Sequence, residues 1–169
     1  MVSSESDKIE LGSKYEAASV YAQEKGYDWV LAIEDDVCVP IDCAERLLQV
    51  TEARRKQNAD VGGIVGVCAE RAPGEKILLG STNMIAPFHV PFTAFGPQAF
   101  HPLTPEEATQ PYVEVNTASM PFLFWPRILK QESIHFHGHL GFDWHFCVET
   151  HAKAVKILCV PSVVADHVF

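Results

Sequence analysis

Basic residues are in short supply: 13 Lys and Arg stand against 22 Asp and Glu, a formal charge of −9 over 169 residues. That balance argues against a nucleic-acid backbone or an anionic membrane as partner. A phosphate-bearing small molecule stays open, provided a metal bridges the like charges. No apolar run approaches the ~20 residues that a membrane-spanning helix needs, and no secretory signal pattern opens the chain. Cysteine is sparse and unpaired in pattern: Cys38, Cys43, Cys68, Cys147 and Cys159 are odd in number, scattered and set in apolar contexts. No CxxC pair is present, which disfavours a zinc knuckle, and the usage suits reduced thiols in a cytoplasmic protein better than a disulfide framework. Internal repeats and low-complexity tracts are also missing.

What remains is 47% apolar and 21% charged, ordinary for a globular chain of a length that forms one domain, residues 1–169, with 1–12 expected as a flexible leading segment. From Ile9 to Lys25, Leu11, Tyr15, Ala18 and Ala22 recur at three- and four-residue steps, which predicts a helix stopped by Gly26. Trp29 to Ile33 reads as a short strand buried on both faces. Asp42, with Glu45 three residues on, opens a second helix. "VGGIVGV", 61–67, reads as another buried strand whose glycines allow close backbone approach. Ile77 to Leu79 is a candidate hairpin partner. Residues 81–111, rich in proline and phenylalanine, read as an irregular loop, with one helical turn opened by Thr104 and Pro105. Then come a strand at Tyr112–Asn116, an apolar segment ending in a short helix after Pro126, a helix starting near Asp143, and a strand at Val155–Val160 turned by Pro161. The order predicts an α/β fold: a mixed, mostly parallel sheet flanked by helices.

Four features could do chemistry. Glu34, Asp35 and Asp36 are adjacent carboxylates at the carboxyl end of a strand, where open α/β sheets bind ligands. Hard oxygen donors there suit Mg²⁺ or Mn²⁺, although an acidic turn before a helix is the plainer explanation. Asp143 sits where a helix should begin, so it is a general base at a cleft or simply an N-cap. His167 is a third ligand for a carboxylate-held metal, or an exposed histidine. His135, His137 and His139 alternate as strand residues on one face would, and could hold zinc in a metal-dependent hydrolase.

The succession of these segments is more specific than any one of them. "KYEAASVYAQEKGYDWVLAIEDDVCVP" resembles the helix and strand that deliver the DxD-type motif in GT-A glycosyltransferases, particularly family 2-like enzymes, and "ADVGGIVGVCAER" is similar to the strand that follows. "VEVNTASMPFLFWPRIL" resembles the segment leading to the acceptor site. "GFDWHFCVETHAKAVKILCVPSVVADH" resembles the closing stretch that ends in a histidine. The resemblance implies a transferase that moves a sugar from a nucleotide-sugar to a carbohydrate or other hydroxyl acceptor. It implies Mn²⁺ or Mg²⁺ held by Asp36 and His167, with Glu34 and Asp35 beside the cofactor. Asp143 then matches the acceptor-activating base, with Phe142 standing where many members have Glu. Trp144, His145 and Asn116 are expected at the substrate. The family's usual nucleotide-binding strand-helix-strand unit has no counterpart before the first helix. An exposed sheet edge is therefore expected, open to self-association, to a partner subunit, or to a non-catalytic carbohydrate-binding role.

Overall fold

The computed structural model describes residues 11–55, 61–70, 103–115, 120–136 and 142–167. Its centre is set by strands that are apolar at every position. β3, Val61–Glu70, is buried without interruption from Val61 to Val67. β5, Phe122–Phe124, is buried throughout, as is the first half of β6, Lys156–His167, beyond its first residue. Side chains alternate across a sheet, and the two faces fill separate cores. Val65, Phe122, Phe124, Ile157 and Cys159 face one core with Tyr15, Phe136 and Phe146. Ile64, Leu123, Leu158 and Val160 face the other with Cys43 and Leu47. Helices α1 (Leu11–Lys25), α3 (Pro126–Glu132) and α4 (Phe142–Ala152) supply the first core, and α2 (Cys43–Arg55) supplies the second.

Around these strands lie β1 (Val30–Ala32), β2 (Val37–Cys38) and β4 (Val113–Val115), in the order β1-β5-β3-β6-β2, with β4 also paired to β6. The sheet is mixed and flanked by helices, as the sequence predicts, but its strands are not mostly parallel. β3 and β6 run parallel, whereas β1–β5, β3–β5, β2–β6 and β4–β6 are antiparallel. The error has a physical source: a continuous apolar run reports burial on both faces, not strand direction. The same signal misplaces β1. It lies at the end of the strand order and is half-buried, with Ile33 exposed, so the expected two-sided burial belongs to β3 and β5 instead.

Pro161 does not end the last strand either. β6 runs through it, and the register with β3 passes from Val65↔Cys159 to Val67↔Val164, so β6 spends five steps where β3 spends two. A proline without an N–H fits such a bulge, which bends the outer half of β6 away from the inner half. Gly66 lies at this place. It donates its N–H to the Pro121 carbonyl at 3.0 Å, and a Cβ there would lie 2.8 Å from the Val163 carbonyl oxygen.

Three of the helices close alike. Tyr27 N–H donates to the Ala22 carbonyl, Ile134 N–H to Leu129, and Val155 N–H to Thr150, each at 2.8 Å. Gly26, Ser133 and Ala154 hold the left-handed turn with φ of 73°, 53° and 56°. This is the six-to-one closure that favours glycine, and only α1 uses one. The helical turn foreseen at Thr104 and Pro105 forms as a 3-10 turn over Glu107–Thr109. Its capping box is reciprocal: Thr104 Oγ1 accepts from Glu107 N–H at 3.2 Å, and Glu107 Oε2 accepts from Thr104 N–H at 2.8 Å. The hairpin strand expected at Ile77–Leu79 lies outside the described residues.

Two substitutions should move stability in opposite directions. A Cβ on Gly63 would sit 2.4 Å from Cε2 of Phe122, whose ring is packed among Phe124, Phe136 and Phe146. Gly63→Ala is expected to cost about 1–3 kcal/mol through overpacking. Ala154→Gly relieves a left-handed alanine and is expected to gain about 0.5–1 kcal/mol after the unfolded-chain entropy is subtracted. Urea midpoints at constant m value measure both.

Candidate active site

β1 ends at Ala32, and the chain turns through Glu34, Asp35 and Asp36 into β2. Val37 N–H donates to the Glu34 carbonyl at 3.2 Å, so the three acids form a tight turn and not a strand. Glu34 is half-buried, and Asp35 and Asp36 are exposed. Solvent therefore screens much of their mutual repulsion.

The register then brings distant segments to this turn. Val37, the residue after Asp36, pairs with His167, and Cys38 pairs with Asp166. On the opposite side of β6, Glu70 pairs with His167 and Ala69 with Asp166. The start of β2 and the carboxyl ends of β3 and β6 thus meet, which places the backbone of His167 beside the acid turn. Glu70 and Asp166 are acids at this same end that sequence reasoning passed over. The available signal was their position, each closing a buried apolar strand.

α4 precedes the last strand directly. It packs on β6 and joins it through the short turn at Lys153–Val155. Asp143, Trp144 and His145 lie in the first turn of α4. Asp143 lies inside α4, one residue past its first, so its side chain, like those of Trp144, His145 and His167, is outside the described part. Asn116 also lies outside the described residues. β4, which precedes it, pairs Val113 with Cys159 and Val115 with Ile157, so that strand heads toward the amino end of β6, away from the acid turn.

The histidine row resolves differently. His135 Nδ1 lies 3.2 Å from Glu16 Oε1, while His137 and His139 lie outside the described residues. Among the described residues no group of three or more His, Cys, Asp or Glu is placed to hold a metal ion. Described residues line cavities elsewhere. One, of about 480 Å³, lies between α1 and α3 beside Glu16, Gln23, Lys130 and His135. Another, of about 210 Å³, lies between α4 and β6 beside Cys147, His151 and Lys156. Neither includes the acid turn. Cys38, Cys43, Cys147 and Cys159 form no disulfide. Burial pushes the Cys43 thiol up from its ordinary range, with a smaller push from Asp42 and an opposing pull from Arg46.

No family model matches this sequence, and no curated protein matches it. Among solved structures, the chain is similar to GalNAc-T7, solved with UDP, GalNAc and Mn²⁺, at 12% identity and a TM-score of 0.55. The likeness covers 91% of this chain and 30% of that one, so the chain spans under a third of the structure it matches. At that identity it shows the fold, which is GT-A-like and distant. Among the described residues no helix is long and apolar enough to cross a membrane.

Cys38, exposed and two residues beyond Asp36, is a natural reporter of this region. Alkylation at pH 8 followed by peptide mass spectrometry should modify Cys38 quickly. Cys43, Cys147 and Cys159 should react only on unfolding, because they are buried and, for Cys43, held as the unreactive thiol. Equal rates at Cys38 and Cys43 in the folded protein would contradict this arrangement.

Proposed function

We propose that this chain forms the metal and acceptor portion of a nucleotide-sugar-dependent glycosyltransferase. The observation that supports it best is the pairing of Val37 with His167, because it brings the backbone of Asp36 next to that of His167 in a GT-A-like sheet. A carboxylate and an imidazole are a donor set that Mn²⁺ accepts, and Mg²⁺ accepts the carboxylate. Two protein ligands would leave coordination positions for diphosphate oxygens. Asp36 and His167 would hold the ion, with Asp35 and Glu34 lining its outer side. When bound, the cation offsets the negative charge that grows on a departing nucleoside diphosphate.

The remaining roles belong to the chain itself. Asp143, at the amino end of α4, takes the proton of an acceptor hydroxyl as that oxygen bonds to the sugar's anomeric carbon and the bond to the phosphate oxygen breaks. Trp144 and His145 offer a flat surface and a hydrogen-bonding group to a sugar ring; Asn116, which follows a strand running away from the acid turn, is left out of this proposal. The hydrolase reading has no observation in its favour: the one described member of the histidine row lies against Glu16, not a metal group.

Calorimetric titration of UDP and GDP, with and without Mn²⁺, tests the proposal. Binding should require Mn²⁺, and Asp36→Asn should weaken it at least tenfold, about 1.4 kcal/mol. Folded protein that binds neither nucleotide with any divalent metal would overturn the transferase reading for this chain alone and favour a non-catalytic, partner-dependent role.

A further inference from the structure

The short segment 134–136 between α3 and α4 is fastened from two sides by carboxylates. Glu16, on α1, accepts the Phe136 N–H through Oε2 at 3.3 Å and meets His135 Nδ1 through Oε1 at 3.2 Å. Glu149, on α4, accepts the His135 N–H through Oε2 at 2.8 Å. Phe136 itself is buried, stacked on Phe146 of α4 at 4.7 Å between ring centroids and 5.3 Å from Tyr15 of α1. Two helices that are far apart in sequence are thus tied through a two-residue stretch of backbone.

We propose that Glu16 and Glu149 are positioning residues, which set the seat of α4 and hence the place of Asp143 on it. This rests on the transferase reading of Asp143. Glu149 and Asp143 lie on one helix six residues apart, about 9 Å along its axis. A shift of α4 at Glu149 is therefore delivered to Asp143 as a rigid-body shift, and displacement of a reacting group by about 1 Å can slow a reaction 10²-fold. Global stability does not explain the arrangement. The Glu16 and His135 side chains are 39% and 50% exposed, and an exposed ion pair contributes little. The carboxylates instead hold backbone donors, where charge-assisted bonds fix geometry.

The test uses Glu16→Ala, Glu149→Ala and the conservative Glu16→Gln in the full chain. A glutamine is close in shape and keeps an oxygen to accept the Phe136 N–H. Hydrogen exchange at the Phe136 amide should rise at least tenfold in Glu16→Ala, and at the His135 amide in Glu149→Ala, with amides of β3 unchanged and Glu16→Gln close to the parent. Mn²⁺-dependent UDP binding should be retained in all three. Turnover of a UDP-sugar to free UDP should fall at least tenfold in kcat, with KM unchanged, in the two alanine variants only. Unchanged exchange would overturn the clamp. Raised exchange with unchanged kcat would overturn the positioning role. A parent chain that neither binds nor turns over nucleotide would overturn the transferase reading and the positioning role with it, while the exchange result would still decide the clamp.

Discussion

The arrangement hangs on β6 and the ladder it makes with β3. β6 is the strand on which β4, β2 and β3 all converge: β4 beside its inner half, β2 beside its outer tip, and β3 along nearly its full length. β3 can lie this close because Gly62, Gly63 and Gly66 leave room for Val155, Phe122 and the Val163 carbonyl. Any side chain at those positions would have to displace a buried ring, a packed methyl or backbone. The bulge at Val160–Val163 then lets one strand serve two neighbourhoods. Its inner half closes the two cores, and its outer half carries Asp166 and His167 to the acid turn.

Much of the scaffold was legible in the sequence because its determinants are local. Gly26 after a helical stripe, Pro126 before a short helix, and Thr104 with Pro105 opening a helical turn are rules of three or four residues, and each appears close to where it was expected. The glycine-rich strand was equally readable, since burial on both faces leaves no polar position. Other features depend on partners distant in the chain. Strand direction, the edge position of β1 and the passage of β6 through Pro161 are tertiary outcomes that a local pattern does not encode. Ser133 and Ala154 illustrate the limit well. They close α3 and α4 as Gly26 closes α1, but nothing in their identity announces a left-handed residue.

The candidate site divides along the same line. The acid turn, Asp143 and His167 could be picked out by residue type and by position beside a strand or helix end. The meeting of the acid turn with the backbone of His167 could not, because it rests on a register between residues about 130 positions apart. Glu70 and Asp166 were overlooked for that reason: both lie beyond the strand bounds read from the sequence, and only the pairing sets them at one place. His135 shows the converse. Its alternation with two other histidines suggested a metal, whereas its neighbours are two carboxylates that organise backbone.

The ladder between β3 and β6 also has a consequence for how the molecule comes to be. Val61 finds its partner at Lys156 and Val30 at Phe124, so almost every strand waits for chain made much later. Closing such loops is entropically unfavourable before any contact rewards it, which places the protein among slow folders. During synthesis "VGGIVGV" emerges as an uncharged apolar strand with neither neighbour yet available. Until β5 and β6 have been translated, that segment is a ready template for pairing with other nascent chains, and holding it apart is work for a chaperone.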